Sequence, residues 1–506
     1  TSTTTVTELL DAVHLWLSTN IMKDVSSADF IAIMSDESTD IRTRNELSLC
    51  VRYVANGEAQ ERFICLQQLM STEAVSVKDA IETVLLQFKI PSNRVYWMAF
   101  DGAANMSGRV NGVQAKLRNE MLTKAKYVHC RSHLLNLAAA NVATGFPALR
   151  GLFSTFNSLW KFFNNSPKRH NKMTEVQHIL QDPVLELVRA GDTRWTSNYR
   201  AVRAVRHCLR TIVITLQEIH SAAGDLSSEA GGLLLTFQNR KSVLLIFALE
   251  QVLQPLNALT LGLQSPKLSL AELPQKVDSA ISRLQEIIAD SSSYSDSFTE
   301  FETECQWSWV GEAVDIGRVH KEIVTPYVTA FIRNMNKRFG DAIGNVSLAA
   351  SVFKPCNVLT ASLSEQQEQV RQLASYFELD KDEAANEWSC FPHYLSKRVS
   401  ATVSDVFKSL LNSDVGDSYP ALSTLAGIIV ACPVGTAGVE RSFSTMNRLC
   451  TRLRQRLTPQ HLNKLLMIVQ EGPTELTRDE LKQIAYLWLQ QKPRRIQFPP
   501  PANCSA

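Results

Sequence analysis

The spacing of apolar residues changes three times along the chain. In residues 1–28, Leu9, Leu10, Val13, Leu15, Trp16 and Leu17 suit a helix packed on something else. From Asp29 the period changes. "DFIAIMS", "ELSLCVRYV" and "ERFICLQQL" predict three strands rich in β-branched and aromatic residues, and Asn56-Gly57 predicts a tight hairpin between the second and third. "SVKDAIETVLLQF" predicts an amphipathic helix ending before Pro91. "RVYWMAF" then predicts a fourth strand, "NGVQAKLRNEML" a helix and "KYVHC" a short fifth strand. Residues 29–133 thus read β-β-β-α-β-α-β, an α/β core.

Over residues 134–418 the strand signal fades and helical periodicity takes over, as in "LLNLAAANVA", "YRAVRAVRHCLRTIVITLQEI" and "KSVLLIFALEQVLQPLNALTLGLQ". This region predicts an all-α domain, with "ADSSSYSDS" (289–297) as a surface loop. Residues 419–475 begin with a buried apolar run, pass Pro433 and Gly435, and enter a basic helix in "TAGVERSFSTMNRLCTRLRQRL". Residues 476–506 predict a last helix and a disordered tail. No run approaches the 18 or more apolar residues of a membrane span, the nearest being "LAGIIVACPVGTAGV".

With 506 residues, 45% of them hydrophobic, the chain can bury more than one core. Lys and Arg number 52 against 50 Asp and Glu, so any role with nucleic acid must come from local basic patches rather than overall charge. Ten scattered cysteines without a CxxC pair read as reduced, intracellular thiols. Because the chain opens on Thr1 rather than Met, it reads as a fragment or processed form with an upstream module to be expected.

Carboxylates gather at predicted strand ends. "IAIMSDESTDI" stops an apolar run against Asp36, Glu37 and Asp40, and alternation puts Asp36 on the face of Phe30, Ala32 and Met34, with Glu37 on the other. Asp101 follows the fourth strand in "AFDGAANMSG", beside Gly102 and Gly108. If the first and fourth strands are neighbours, Asp36 and Asp101 face each other across a gap suited to a divalent cation and a substrate phosphate. The alternative is that Asp101 caps a helix and the DESTD cluster is a solvated strand end. A dehalogenase-type phosphatase would need Asp where Ser38 stands, and no GxxxxGK[ST] loop occurs.

Two stretches are one-sidedly basic. Arg441, Arg448, Arg452 and Arg456 would share one stripe of a continuous helix, with Arg454 and Lys464 nearby and no acid between Glu440 and Glu471. In "TRWTSNYRAVRAVRHCLR", Arg194 stands beside Trp195, and Arg200, Arg203, Arg206 and Arg210 would line one helical side. Trp195 and Tyr199 could stack on bases while arginines hold phosphates, or Trp195 could be a core residue. Cys130 and His133 have a metal-like spacing, but zinc needs three or four ligands and no partner pair stands near.

Four stretches in order, "SDESTD", "FDGAANMSG" followed by "CRSHLLNLA", "DTRWTSNYRAV" and "AGVERSFSTMNRLCTRLRQRLTPQHLNKLLMI", resemble the hAT superfamily of DNA transposases in its vertebrate, zinc-finger-associated and domesticated branch. The resemblance runs from about residue 30 to 470, and its last stretch is similar to the hAT dimerisation region. It implies a ribonuclease H-like mixed sheet interrupted after the fifth strand by a long helical insertion. It also implies an Asp36, Asp101 and Glu440 triad holding two Mg²⁺ (or Mn²⁺) ions for in-line displacement at a DNA phosphate. Trp195 matches the family's base-stacking aromatic in hairpin formation on flanking DNA, with Arg194 beside it, and His133 matches the histidine near the active site. DNA-binding positions are then Arg194, Trp195, His133, Arg200, Arg203, Arg441, Arg448 and Arg452. Homo-oligomerisation through residues 420–470 with the N-terminal helix, and a nuclear location, are further expectations.

Members normally carry an N-terminal BED or other zinc finger for terminal-repeat recognition, and these residues contain none. Many vertebrate members are domesticated chromatin or transcription proteins. Two readings follow: an active strand transferase, for which the intact triad speaks, and a DNA-associated regulator that dimerises without transposing.

Overall fold

The computed structural model describes residues 3–191, 195–222, 227–305, 307–311, 313–358, 360–397, 401–412, 414–451, 454 and 456–493. Along the chain run α1 (Thr3–Ser27), β1 (Ile31–Thr39), β2 (Asn45–Ala55), β3 (Glu58–Leu69), α2 (Ala74–Gln87), β4 (Val95–Phe100), α3 (Val113–Glu120), β5 (Lys126–His129) and α4 (Arg131–Thr144). The helical stretch includes α5 (Trp195–His207), α6 (Leu209–Ser221), α7 (Arg240–Leu263) and α8 (Ser292–Cys305). Near the C-terminus lie α9 (Pro420–Ala431), α10 (Ala437–Leu449), α11 (Pro459–Glu471) and α12 (Arg478–Gln490).

The chain divides into two compact units. One contains Thr1–His133, Gln264–Leu273 and Ala342–Ala506, and the other Leu134–Leu263 and Pro274–Asp341. In the first, five strands pair in the order β3-β2-β1-β4-β5. β1 and β2 are antiparallel, as are β2 and β3, while β1–β4 and β4–β5 are parallel. This is the mixed, ribonuclease H-like sheet that the resemblance implies. Asn56 (φ 54°) and Gly57 (φ 71°) close the β2–β3 hairpin in the left-handed conformation that such two-residue turns require.

Helices α9 and α10 cover one face of the sheet. Trp97, wholly buried on β4, donates its indole N–H to the Ile428 carbonyl of α9 at 2.7 Å. Helix α10 packs on β1, β2, β3 and α11. α11 in turn lies along the edge strand β3, where the Phe63 N–H donates to Glu471 Oε1 (2.7 Å) and the Leu66 N–H to Asn463 Oδ1 (2.8 Å). β3 is thereby capped by side chains rather than by another strand.

The helical stretch expected over 134–418 is divided. Residues 264–273 and 342–418 group with the sheet, and only the remainder forms the separate helical unit. The reason lies in a second aromatic core. Trp388 is fully buried against Phe353 and Phe391 and donates its indole N–H to Gln366 (3.1 Å). Immediately before Trp388, Glu387 accepts the free N–H groups of Ala421 and Leu422 at the start of α9 (3.0 and 2.9 Å), where helix polarity favours a carboxylate.

Three local expectations fail. The 289–297 loop is helical from Ser292, because Asp290 takes the Ser292 N–H at 2.9 Å and Tyr294 and Phe298 bury one turn apart. The helix expected through "YRAVRAVRHCLRTIVITLQEI" breaks between His207 and Leu209, so Arg210 belongs to α6 and not to the side of Arg200 and Arg203. In the helical unit, α7 is long and apolar enough to cross a membrane by length and composition. However, 72% of its most apolar window is buried within the protein, as in a core helix. Of the predicted disordered tail, 492–506, Lys492 is described and pairs with Glu8, and residues from 494 lie outside the described residues.

Replacing Glu387 by Ala leaves two N–H groups of α9 without an acceptor. Stability should fall by about 1–2 kcal/mol, measured as a lower urea or thermal midpoint. An unchanged midpoint would mean that the carboxylate does not anchor α9.

Candidate functional site

Met34 of β1 pairs with Ala99 of parallel β4. Two residues further on each strand stand Asp36 and Asp101, so register alone brings both to one edge of the sheet. Asp36 is half-buried, and its carboxyl is raised to about 7. Burial is the main cause, followed by the charge of Asp101; the Glu37 N–H opposes the rise and Glu440 adds to it. The three carboxylates expected as a triad therefore share one electrostatic neighbourhood. Among the described residues, no three His, Cys, Asp or Glu side chains are drawn close enough to hold a metal ion as they stand. The acids converge without forming a closed cage.

Asp101 does not cap a helix. Its Oδ1 accepts the Ala103 N–H at 3.2 Å, and Ala103 is itself the cap residue of the short helix Ala104–Ser107. The Tyr127 hydroxyl holds the Asp101 carbonyl at 3.0 Å. Gly102 is required here: a Cβ would stand 2.3 Å from the His129 ring and 3.3 Å from His133. The two imidazoles stack with centroids 5.5 Å apart, and so lie beside the Asp101 turn.

Glu440 sits in the first turn of α10, where helix polarity favours an acid. Several contacts fix that turn. The Cys130 sulfur accepts the Thr436 N–H (3.4 Å), and the Arg131 N–H donates to the Val434 carbonyl (3.1 Å). Ser442 and Ser48 share a buried hydroxyl–hydroxyl hydrogen bond of 2.6 Å, and Ser48 is the β2 residue paired with Asp36. Cys130 is thus a structural acceptor with its thiol pushed up by burial, which disfavours the thiolate that zinc needs.

The other acids of the opening cluster separate. Glu37 accepts from the Asn105 side chain at 2.9 Å and lines a polar recess of about 420 Å³ with Ser38, Thr39, Asn45, Thr72 and Asn105. Asp40 closes the β1–β2 turn, accepting the Arg42 and Arg44 N–H groups and the Arg42 side chain. Burial opposes its ionisation, but these bonds outweigh burial and hold its carboxyl below the usual range. Glu46 on β2 is 1% exposed, has no hydrogen-bond partner for either oxygen among the described residues, and is raised to about 7 by burial and then by Asp40.

The basic stripe is not one helix. α10 ends at Leu449 with Cys450 as its cap, and Thr458-Pro459 starts α11, so the intervening turn interrupts the expected line. Arg456 lies in that turn, and Arg452 falls outside the described residues. Arg441 pairs with Glu61 at 3.2 Å, and Arg448 donates to Thr445 Oγ1 at 3.1 Å. In the helical unit, Arg206 pairs with Glu250 at 3.0 Å and stacks on Phe247. Arg200 and Arg203 are exposed and, among the described residues, have no ion-pair partner. Arg194 and the side chain of Trp195 lie outside the described residues.

Two family models match the chain. Residues 1–112 match the ZMYM1/FAM200 RNase-like domain, and residues 399–471 match the hAT family C-terminal dimerisation region. Together the two matches support an hAT-family transposase-like protein. The second match takes in α9, α10 and α11, and supports homo-oligomerisation. Sequence reading overlooked Ser48, Glu61 and Glu46, which carry no motif, and Ser442, which lies within the last of the four resembling stretches without being singled out. Only the strand register, with Ser48 opposite Asp36, could have pointed to the first.

Between about pH 4 and 7 the folded protein keeps protons on Asp36 and Glu46 that the unfolded chain releases. In chelator-treated protein, stability should therefore fall as pH rises through that window and level off above it. Asp36→Asn and Glu46→Gln should each remove part of the slope in thermal melts from pH 4 to 8. A slope unchanged in both variants would contradict the buried-acid account.

Proposed function

We propose that this chain cleaves and transfers DNA strands in a Mg²⁺- or Mn²⁺-dependent reaction that forms a hairpin on flanking DNA, with Asp36, Asp101 and Glu440 as its acidic triad. The observation that carries this reading is the convergence of the three carboxylates at one sheet edge, felt in the raised Asp36 carboxyl. An all-oxygen, all-anionic donor set suits a hard divalent cation. Like charges repel, and drawing these three to coordination distance needs the countercharge that such a cation brings. When bound, it would lower the pKa of an attacking water or 3′-hydroxyl and offset charge on the leaving oxygen.

The chain's own residues supply the rest. Asp36 and Asp101 would hold the cation from strand ends fixed by pairing, and Glu440 from a helix turn fixed by Cys130, Arg131 and Ser48. His133, beside the Asp101 turn, is placed to donate to a phosphate oxygen. Arg200 and Arg203, exposed and without an ion-pair partner among the described residues, would offer guanidinium groups to a DNA backbone, and Arg194 and Trp195, just before them in sequence, would supply the stacking on a flipped base. Transposon ends and flanking chromosomal DNA would be the substrates, which places the reaction in the nucleus.

The test is nicking and hairpin formation on DNA bearing terminal inverted repeats, with Mg²⁺ or Mn²⁺. Asp36→Asn, Asp101→Asn and Glu440→Gln should each lower the rate by about a hundredfold or more, since several kcal/mol of charge stabilisation would be lost. Cleavage that survives all three changes would remove the triad assignment. A wild type that binds DNA without cutting it would identify the DNA-associated regulator instead.

A further inference from the structure

Arg441 was expected to contact DNA, yet its guanidinium turns to Glu61 on the edge strand β3. Glu61 stands opposite Arg52 in the β2–β3 register and also pairs with it, at 3.0 Å. Arg52 is almost wholly buried, and its other donors are spent on backbone. Nε and one terminal nitrogen donate to the Val430 carbonyl at the end of α9 (3.3 and 3.1 Å), and the other terminal nitrogen to the Pro266 carbonyl (2.7 Å). One carboxylate thus joins a buried arginine to an arginine adjacent in sequence to Glu440. The first turn of α10 also touches Glu61 directly: a Cβ on Gly438 would lie 3.0 Å from its Oε2. A carboxylate against a helix's first turn is favoured by helix polarity.

We infer that Glu61, backed by Arg52 and engaged by Arg441, is a positioning residue that seats the first turn of α10 and so sets where Glu440 stands relative to Asp36. Arg441 then serves this seat rather than DNA. The inference rests on the strand-cleavage reading for its catalytic consequence, though the seat itself can be measured without catalysis. Glu61 is largely enclosed, and its loss would leave Arg52 buried without a countercharge. Arg441 is more than half exposed, so solvent weakens its share of the seat.

The experiment compares wild type, Glu61→Gln, Arg441→Gln, the double variant and Arg441→Lys. It reads hydrogen exchange of amides 440–446, cleavage at saturating DNA, and DNA affinity as a function of salt. Glu61→Gln should speed exchange and slow cleavage by about tenfold each, and Arg441→Gln by about three- to fivefold each. The double variant should be no worse than Glu61→Gln alone, and Arg441→Lys should recover most of the loss. DNA affinity and its salt dependence should stay unchanged. The inference is overturned if Arg441→Gln weakens DNA binding and lowers the salt slope by about one while Glu61→Gln leaves exchange untouched. It is equally overturned if neither variant alters exchange. If the wild type does not cleave, the strand-cleavage reading fails, and the exchange data still decide whether the seat exists. Arg441→Gln, altered at an exposed end, keeps the comparison readable even if Glu61→Gln folds poorly.

Discussion

Where β1 and β4 run side by side in the same direction, the pairing of Met34 with Ala99 delivers Asp36 and Asp101 to one edge. Antiparallel pairing would send the two strand ends, and the acids that follow them, to opposite edges of the sheet. Burying a carboxylate beside like charges opposes folding: the Asp36 carboxyl is raised first by its burial and then by the charge of Asp101. The cost is carried by apolar burial elsewhere: Ala32, Met34, Trp97 and Ala99 on these strands are wholly excluded from water.

The third acid comes by a different route. Glu440 lies 339 positions after Asp101 in the sequence, and no strand register reaches it. Its place depends on the turn 432–436, held by Cys130 and Arg131 at the end of β5, and on hydroxyl and ionic contacts to β2 and β3. The two strand acids are thus placed by backbone pairing, and the helix acid mainly by side chains, with one backbone bond from Arg131 to Val434. Side-chain placement is the softer of the two, so mutations near the site should perturb Glu440 sooner than Asp36 or Asp101.

The same division explains what could be read in advance. Short runs rich in β-branched and aromatic residues, with the Asn-Gly turn, marked the strands, whose central residues are buried on both faces. Asp36 and Asp101 were legible as acids at strand ends. Glu440 was legible only through resemblance to a family. Helix ends proved harder. The break at Cys208 and the stop at Cys450 occur inside continuous helical patterns, where tertiary packing decides the boundary. Both errors had the same effect, lining up arginines that the fold keeps apart. Glu61 and Ser48 were invisible because an ordinary polar residue on a strand gives no sign of its partner far along the chain.

The edge strand β3 has a consequence for assembly. Its outward amides at Phe63 and Leu66 are already occupied by Glu471 and Asn463 of α11. A strand so occupied offers little ladder to a strand from another molecule, and stray sheet-to-sheet growth is blunted at this margin. Helix α11 also belongs to the segment that matches the dimerisation region. Copies of this protein would therefore meet through helical surfaces while the helix that shields the sheet stays in place, so that association and protection against aggregation are served by one short piece of chain.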